Sequence, residues 1–311
     1  MKAKNSSSII KSGHAKAVVE ITAQVIFTVC AVAAIAAVFS ITLYMFLQGV
    51  PAFLQVGLKE ILFGTEWAPT AKTPSFGILY IILTSIVGTA AAVLIGVPIG
   101  VLTAVFLAEV APKRLAAVVR PAVDLLAGIP SVIYGLLGLM ILNPLMYKLE
   151  QIIFAGSETH QFTGGANLIS AVLVLVVMIL PTVINISQSA LQAVPQKLKD
   201  ASFGLGGSQI QTIFRVQIPA ARSGIISAVV LGIGRAIGEA MAISLVSGSA
   251  VNIPLPFNSV RFLTTAIVSE MGYAADTHRM VLFSIGLVLF VFIMAINTLL
   301  TKILKGAPQH D

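Results

Sequence analysis

The sequence predicts an all-α polytopic membrane protein with six transmembrane helices, and three observations carry that prediction. Of its 311 residues, 57% are apolar and 10% charged, whereas a soluble domain is usually about 25% charged. The apolar residues gather into six runs, at about 21–48, 76–107, 124–146, 168–190, 223–247 and 280–303. A helix needs roughly 20 residues to cross the hydrocarbon core. Basic residues also alternate in density from one connection to the next. Thirteen of the 19 Lys and Arg lie in the N-terminal tail, the second-to-third connection, the 191–222 loop and the C-terminal tail. Five lie in the other connections, and Arg235 alone is intramembrane. The positive-inside rule therefore puts both tails and the 191–222 loop in the cytoplasm. The net charge of +7 is a topology signal, not a nucleic-acid patch.

Residues 1–20 read as a cytoplasmic tail, 21–303 as the transmembrane domain and 304–311 as a second tail. The first run exceeds the apolar core of a secretory signal, and no clear small-x-small site follows it, so it is expected to be a retained helix. It holds Cys30, the single cysteine, which excludes an intramolecular disulfide. The second run is too long for one straight crossing and too short for two. Pro98, within Gly96-Val-Pro-Ile-Gly100, is expected to kink it or mark its exit. Pro130 and Pro181 are candidates for similar bends. The outer loops, about 49–75, 147–167 and 248–279, carry Trp67 and Tyr147, side chains suited to a membrane interface. The four histidines, His14, His160, His278 and His310, show no metal-ligand spacing. No Walker A sequence is present, so any ATP used is hydrolysed by another protein.

The 191–222 connection is polar and punctuated by glycine. Lys197 to Phe203 has no helix breaker. Gly206-Gly207 permits the positive backbone angles of a tight turn. Ser208-Gln-Ile-Gln211 is a capping-box pattern that starts a second helix, and Pro219 suits the first turn of the next one. Phe203, Leu205, Ile210, Ile213 and Phe214 are apolar side chains on this polar loop. They fit either a docking surface or packing against the membrane base of the chain itself.

Within the fifth run, Arg235-Ala-Ile-Gly-Glu239 puts a cation about 18 Å from the helix start, near mid-bilayer. An unbroken helix sets Glu239 one turn further on the same face. A charge there costs about 3 kcal/mol or more against lipid, so the pair faces the bundle interior or water. It is either a structural ion pair or a substrate-path or gating element, with an Arg fork suited to an oxyanion. Gly234-xxx-Gly238 is a helix-packing pattern. The run GIGRAIG lacks both the spacing and the preceding strand of a dinucleotide fingerprint. Arg120-Pro-x-x-x-Asp124 is a charge pair at the mouth of the third run, and Gly128-Ile-Pro-Ser-Val-Ile-Tyr-Gly135 enters the membrane with a break at Pro130.

Four stretches carry a family resemblance. Asp200-Ala201-Ser202, three residues, Gly206, nine residues, then Val216-x-Ile218-Pro219 resembles the EAA loop of ABC-transporter permeases. It differs in having Asp200 where the family has Glu, and Ser202 where it has Ala. RPAVDLLAGIPSVIYG (120–135) and RAIGEAMA (235–242), with Ala240 where Thr is usual, look like the phosphate-specific permeases of that family, the PstC/PstA-type subunits. WAPTAKTPSFG (67–77) and Met241-Ala242 favour the PstC type. The resemblance runs from about residue 60 to the end. It implies a type I importer-like permease of inorganic phosphate in the cell inner membrane, with no enzymatic activity and no bound cofactor of its own. The loop residues Asp200, Ala201, Ser202, Phe203, Gly206, Phe214, Val216, Ile218 and Pro219 then form a coupling helix region on a cytoplasmic ATPase. Implied partners are a PstA-like permease, two PstB-like ATPases that use the ATP, an extracytoplasmic phosphate-binding protein and membrane lipid, with no nucleic acid. The alternatives are a permease for sulfate or molybdate, a secondary transporter or channel, and a membrane phosphate sensor. The coupling loop argues against the secondary transporter.

Overall fold

The computed structural model describes residues 6–305. Helix α1, Ser6–Ala52, begins well ahead of its apolar run and carries Pro51 at its far end. A π-helical turn, Phe53–Gly57, leads into α2, Leu58–Phe63. A short antiparallel hairpin follows, β1 Trp67–Ala68 with β2 Ser75–Phe76, and Trp67 lies opposite Phe76.

Helix α3, Leu79–Val105, stays helical through Pro98, and its geometry changes only at the π-helical turn Phe106–Val110. The helix is therefore not interrupted at Pro98. Packing explains why. A β-carbon at Gly96 would lie 2.6 Å from Ile179 Cδ1, and one at Gly100 would lie 2.8 Å from Val183 Cγ1. Their bare backbones press α3 onto α7, Leu168–Gln192, and hold it through the proline. Helix α7 is likewise unbroken at Pro181. Its start is fixed by Asn167, whose Oδ1 accepts the Ser170 N–H at 3.1 Å.

The third crossing is shifted from its expected position. Helix α4, Lys113–Gly128, is a separate amphipathic helix that contains both Arg120 and Asp124. Ile129 and Pro130 are extended, with ψ of 128° and 138°. Pro130 disfavours helical angles at the residue before it, and it leads into α5, Ser131–Leu137. That helix continues through a π-helical turn, Gly138–Leu142, into α6, Asn143–Ile153. The apolar crossing is Ser131–Ile153, not 124–146.

The 191–222 loop folds as α8, Gln196–Gly204; α9, Gln209–Thr212; a π-helical turn, Ile213–Gln217; and α10, Ile218–Ala220, in whose first turn Pro219 sits. The membrane helix α11, Arg222–Gly238, leaves this stretch at an angle of 69°. Helix α11 ends at Gly238, because Glu239 is extended with ψ of 130°. Then come α12, Met241–Val246; α13, Leu263–Glu270; and α14, Asp276–Lys305. The fifth run is thus broken rather than continuous. Among the described residues, five helices are long and apolar enough to cross a membrane, and a sixth if the bent 209–238 pair counts as one.

Helix α7 is the axis of the bundle. Of its most apolar stretch 61% is buried, against 33% for α3 and none for α1. Helices α3 and α11 both pack on it and on each other; Val183 touches the Gly100 position of one and the Gly232 position of the other. Three apolar clusters stack along this axis. One lies at the hairpin end around Ile61, Ile78, Leu263 and Leu282, one at the centre around Leu175, Ile179 and Ile243, and one at the 191–222 end around Leu107, Leu191 and Ile213.

Candidate functional site

The 191–222 loop is a helical hairpin closed by short polar contacts. Gly206 takes φ of +83°, an angle that glycine adopts without a steric cost. The Gly206 N–H donates to Phe203 O, and the Gly207 N–H to Ser202 O, both at 2.9 Å. The Ser202 and Thr212 hydroxyls lie 2.8 Å apart. The capping box forms in both directions: Ser208 Oγ accepts from Gln211 N, and Gln211 Oε1 accepts from Ser208 N. Asp200 is exposed, and its Oδ1 accepts from Gln196 Nε2 at 3.1 Å.

Of the five apolar side chains read from this loop, Ile213 is buried against the chain's own base. Phe203, Leu205, Ile210 and Phe214 are exposed, Leu205 at 91%. A groove of about 380 Å³ lies among Leu198, Ala201, Leu205, Gln211 and Val216. Ile218 is half-buried and Pro219 exposed. The hairpin is fastened to the membrane domain by Glu109, in the turn after α3. Its carboxylate accepts from Lys199 Nζ at 2.7 Å, and its carbonyl from Gln209 Nε2 at 3.0 Å. Sequence reasoning missed Glu109. Its only signal was a carboxylate at the end of an apolar run.

Arg235 and Glu239 do not share a helical face. Arg235 lies in the last turn of α11, and Glu239 lies beyond the helix end. Among the described residues no ion pair joins them. Arg235 Nη1 donates to Thr182 Oγ1 of α7 at 3.3 Å. Glu239 Oε1 accepts the Ala242 N–H at 2.9 Å at the start of α12, and its carbonyl accepts from Thr264 Oγ1 of α13 at 2.6 Å. Gly234 and Gly238, read as a packing pattern, have nothing within 4 Å of a β-carbon in this chain.

Arg120 and Asp124 are not a pair either. Arg120 Nη2 donates to Leu107 O at 3.0 Å. With its amide oxygen turned toward Arg120, Gln188 accepts from Nε at 2.6 Å and from Nη2 at 3.1 Å. Asp124 Oδ1 instead accepts from Asn185 Nδ2 of α7 at 2.8 Å. Thr182 and Asn185 were not singled out from the sequence, although they are polar residues at i and i+3 inside the run 168–190.

At the hairpin end two buried carboxylates fasten the loops. Glu270 accepts from Trp67 Nε1 at 3.1 Å, pairs with Arg261, and meets His278 Nε2 at 2.7 Å. Trp67, read as an interfacial anchor, is also part of this polar cluster. Glu150, fully buried, meets His160 Nε2 at 2.8 Å and accepts both the N–H and the hydroxyl of Thr163 at 3.0 Å. Tyr147 packs edge-on to Phe162. His14 and His310 have no described side-chain surroundings.

The chain is similar to "Probable ABC transporter permease protein YqgH" of Bacillus subtilis strain 168, at 37% identity over 96% of each chain. It is similar to "Phosphate transport system permease protein PstC" of Mesorhizobium japonicum, at 35% identity over 75% of this chain and 74% of that one. It also matches the protein of that name from Pasteurella multocida, at 33% identity over 78% and 79%. Among solved structures, a chain of the MetNI methionine ABC transporter in an inward-facing conformation aligns with a TM-score of 0.52. That match has 18% identity and covers 75% of this chain and 95% of that one, so it shows the fold. Residues 96–306, which include the helical hairpin, Arg235 and Glu239, match the family described as "Binding-protein-dependent transport system inner membrane component", and the chain belongs to that family.

Proposed function

We propose that this chain is the PstC-type permease subunit of an ATP-driven importer of inorganic phosphate. The observation that carries the reading is Arg235. It lies in the last turn of a membrane helix, is only partly buried, and has one neutral hydrogen-bond partner and no carboxylate within ion-pair distance among the described residues. Its remaining N–H groups form a fork that matches a tetrahedral oxyanion. The curated PstC relatives support phosphate as that anion.

In this reading Arg235 contacts the anion, and Glu239 holds the break between α11 and α12 as a gating element. The hairpin α8–α10 faces the cytoplasm and presents Phe203, Leu205, Ile210 and Phe214 to one of two PstB-like ATPases, with Asp200 to Phe203 and Phe214 to Pro219 flanking the contact. A PstA-like permease completes the pathway, and an extracytoplasmic phosphate-binding protein delivers phosphate at the hairpin end. Both termini are cytoplasmic, and the assembly sits in the inner membrane. The chain itself binds no cofactor.

The test is phosphate uptake by the full complex in proteoliposomes, with assembly and ATP hydrolysis followed in parallel. Arg235→Gln is expected to assemble and hydrolyse ATP yet fail to move phosphate. Adding Glu239→Gln is expected to bring no rescue, because the two side chains do not touch. Wild-type uptake by the assembled double variant would assign both residues to structure. Uptake of sulfate in place of phosphate would reassign the substrate.

A further inference from the structure

The two arginines near the inner half of α7 are treated differently, and that contrast marks a direction. Arg120 has Nε and Nη2 engaged by Leu107 O and Gln188, so it clamps α4 to α7. Arg235 has one partner among the described residues, Thr182. Between them lies Asp124, exposed and held by Asn185 at 2.8 Å. Thr182, Asn185 and Ser189 recur at i, i+3 and i+7, so they line one stripe of α7. None of the three is fully buried. On the other faces of the same stretch Val183, Ile184 and Ser187 are buried in the core.

Helix α7 runs toward the 191–222 end, and each residue rises about 1.5 Å. Asn185 is therefore about 4.5 Å nearer that end than Thr182. The stripe carries, in order, a cation on a hydroxyl, a carboxylate on an amide, and a further hydroxyl, Ser189, whose Oγ donates to Asn185 O at 2.8 Å. An apolar membrane helix has no packing need for such a row on its open side. Polar side chains at this depth line water or a partner.

We propose that the anion leaves Arg235 toward the cytoplasm along the α7 stripe Thr182–Asn185–Ser189, and that Asp124, positioned by Asn185, loosens the anion's hold on Arg235. This rests on reading Arg235 as an anion contact. Conduction requires a site attractive enough to enter and weak enough to leave. A carboxylate one helical turn inward of the cation supplies the second half of that requirement. It repels an anion seated on Arg235, and it attracts the guanidinium as the anion departs. At an effective dielectric of about 20, unit charges within about 10 Å of each other change such an equilibrium by about tenfold.

The experiment uses the complete, nucleotide-free complex in a Cys30→Ser background, with an anionic, water-soluble methanethiosulfonate applied from the cytoplasmic side. Single cysteines replace Thr182, Asn185 and Ser189 on the stripe, Ile186, half-buried and one turn beyond Thr182 beside it, and Val183 and Ser187 off it. Reaction on the stripe and at Ile186, and none off it, is expected, with inorganic phosphate slowing Ile186→Cys. Asp124→Asn keeps an acceptor for Asn185 and removes the charge. It is expected to lower the phosphate concentration that half-protects Ile186→Cys by about tenfold, to slow uptake, and to leave the thermal midpoint unchanged. Asp124→Glu is expected to restore both. A structural role for Asp124 would leave the protection constant unmoved, and that result overturns the proposal, as does equal reactivity on and off the stripe. If Arg235→Gln transports at the wild-type rate, the anion-contact reading falls and this inference with it. If Arg235→Gln fails while Asp124→Asn behaves as wild type, this inference alone falls.

Discussion

Gly206→Pro tests the 191–222 hairpin, proposed to couple to an ATPase, apart from the membrane domain. Gly206 has φ of +83° and nothing within 4 Å of a β-carbon, so Gly206→Ala tests the backbone alone. An L-residue in the left-handed region costs about 1–2 kcal/mol. Proline fixes φ near −65° and also removes the N–H, which here donates to Phe203 O at 2.9 Å. Losing that bond adds about 1 kcal/mol. Opening the turn also breaks the Gly207–Ser202 bond and the Ser202–Thr212 contact, which brings the total to about 3 kcal/mol or more. Helix α8 buries no side chain completely, so little local packing opposes the opening. The α3–α7–α11 core is not touched. The complex is purified through the ATPase subunit, and co-purification, ATP hydrolysis and phosphate uptake are measured. Membrane insertion is expected to stay normal in both variants. Gly206→Ala lowers the ratio of closed to open hairpin by about 5- to 30-fold, and Gly206→Pro loses ATPase association and uptake. Normal co-purification together with normal uptake in Gly206→Pro refutes the reasoning.

Three further expectations follow from other parts of the structure. Single cysteines at Ser208 and Ser157, both exposed, in a Cys30→Ser background are expected to label from opposite sides; labelling of both by an impermeant reagent in intact spheroplasts contradicts the orientation. Glu270→Ala strands Arg261 and His278 and removes the acceptor for Trp67. The cost expected is about 3 kcal/mol, read as a lower thermal midpoint and faster proteolysis of the hairpin-end loops, and an unchanged midpoint rules out a fastening role. Gly96→Val pushes a side chain into Ile179, already 2.6 Å from a β-carbon at that position. Overpacking of about 1–3 kcal/mol is expected in a thermal melt of the detergent-solubilised complex, and a wild-type melt discounts the α3–α7 contact.

The crossings that sequence placed well are those whose ends are set locally. The Ser208–Gln211 capping box is a short-range pattern, and it forms; Asn167, which caps α7 just before the run 168–190, is equally local although it was not singled out. The misplaced features depend on distant partners. Pro98 and Pro181 do not break their helices because the α3–α7 contact holds the chain through them. The third crossing shifts because Pro130 outweighs the apolar continuity of 124–146. At the candidate site, the loop pattern from Asp200 to Pro219 was legible because its spacing is a property of one segment. Glu109, Thr182 and Asn185 were not, because each acquires its role from a residue 50 or more positions away: |i−j| is 90 for Glu109–Lys199, 53 for Thr182–Arg235 and 61 for Asn185–Asp124.

The break after Gly238 also gives the two charges, Arg235 and Glu239, different surroundings. The C-terminal end of a helix carries partial negative charge and the N-terminal end partial positive charge. Arg235 sits in the last turn of α11, and Glu239 just before α12, so each charge meets the helix end that favours it. Such an effect contributes about 0.3–1 kcal/mol, and about 2 kcal/mol when partly buried. Glu239 gains further from its direct bond to the Ala242 N–H. A charge-assisted bond of that kind contributes about 1.5–3 kcal/mol, so capping alone offsets a mid-membrane cost of about 3 kcal/mol. Arg235 adds only a 3.3 Å contact with a hydroxyl, and most of its donors have no partner among the described residues. Its balance is completed from outside this chain, by water, the second permease or an anion. Of those three, a transported anion supplies opposite charge and departs with each cycle, which supports the proposal that Arg235 meets the cargo while Glu239, as the cap of a broken helix, holds the break that would gate it.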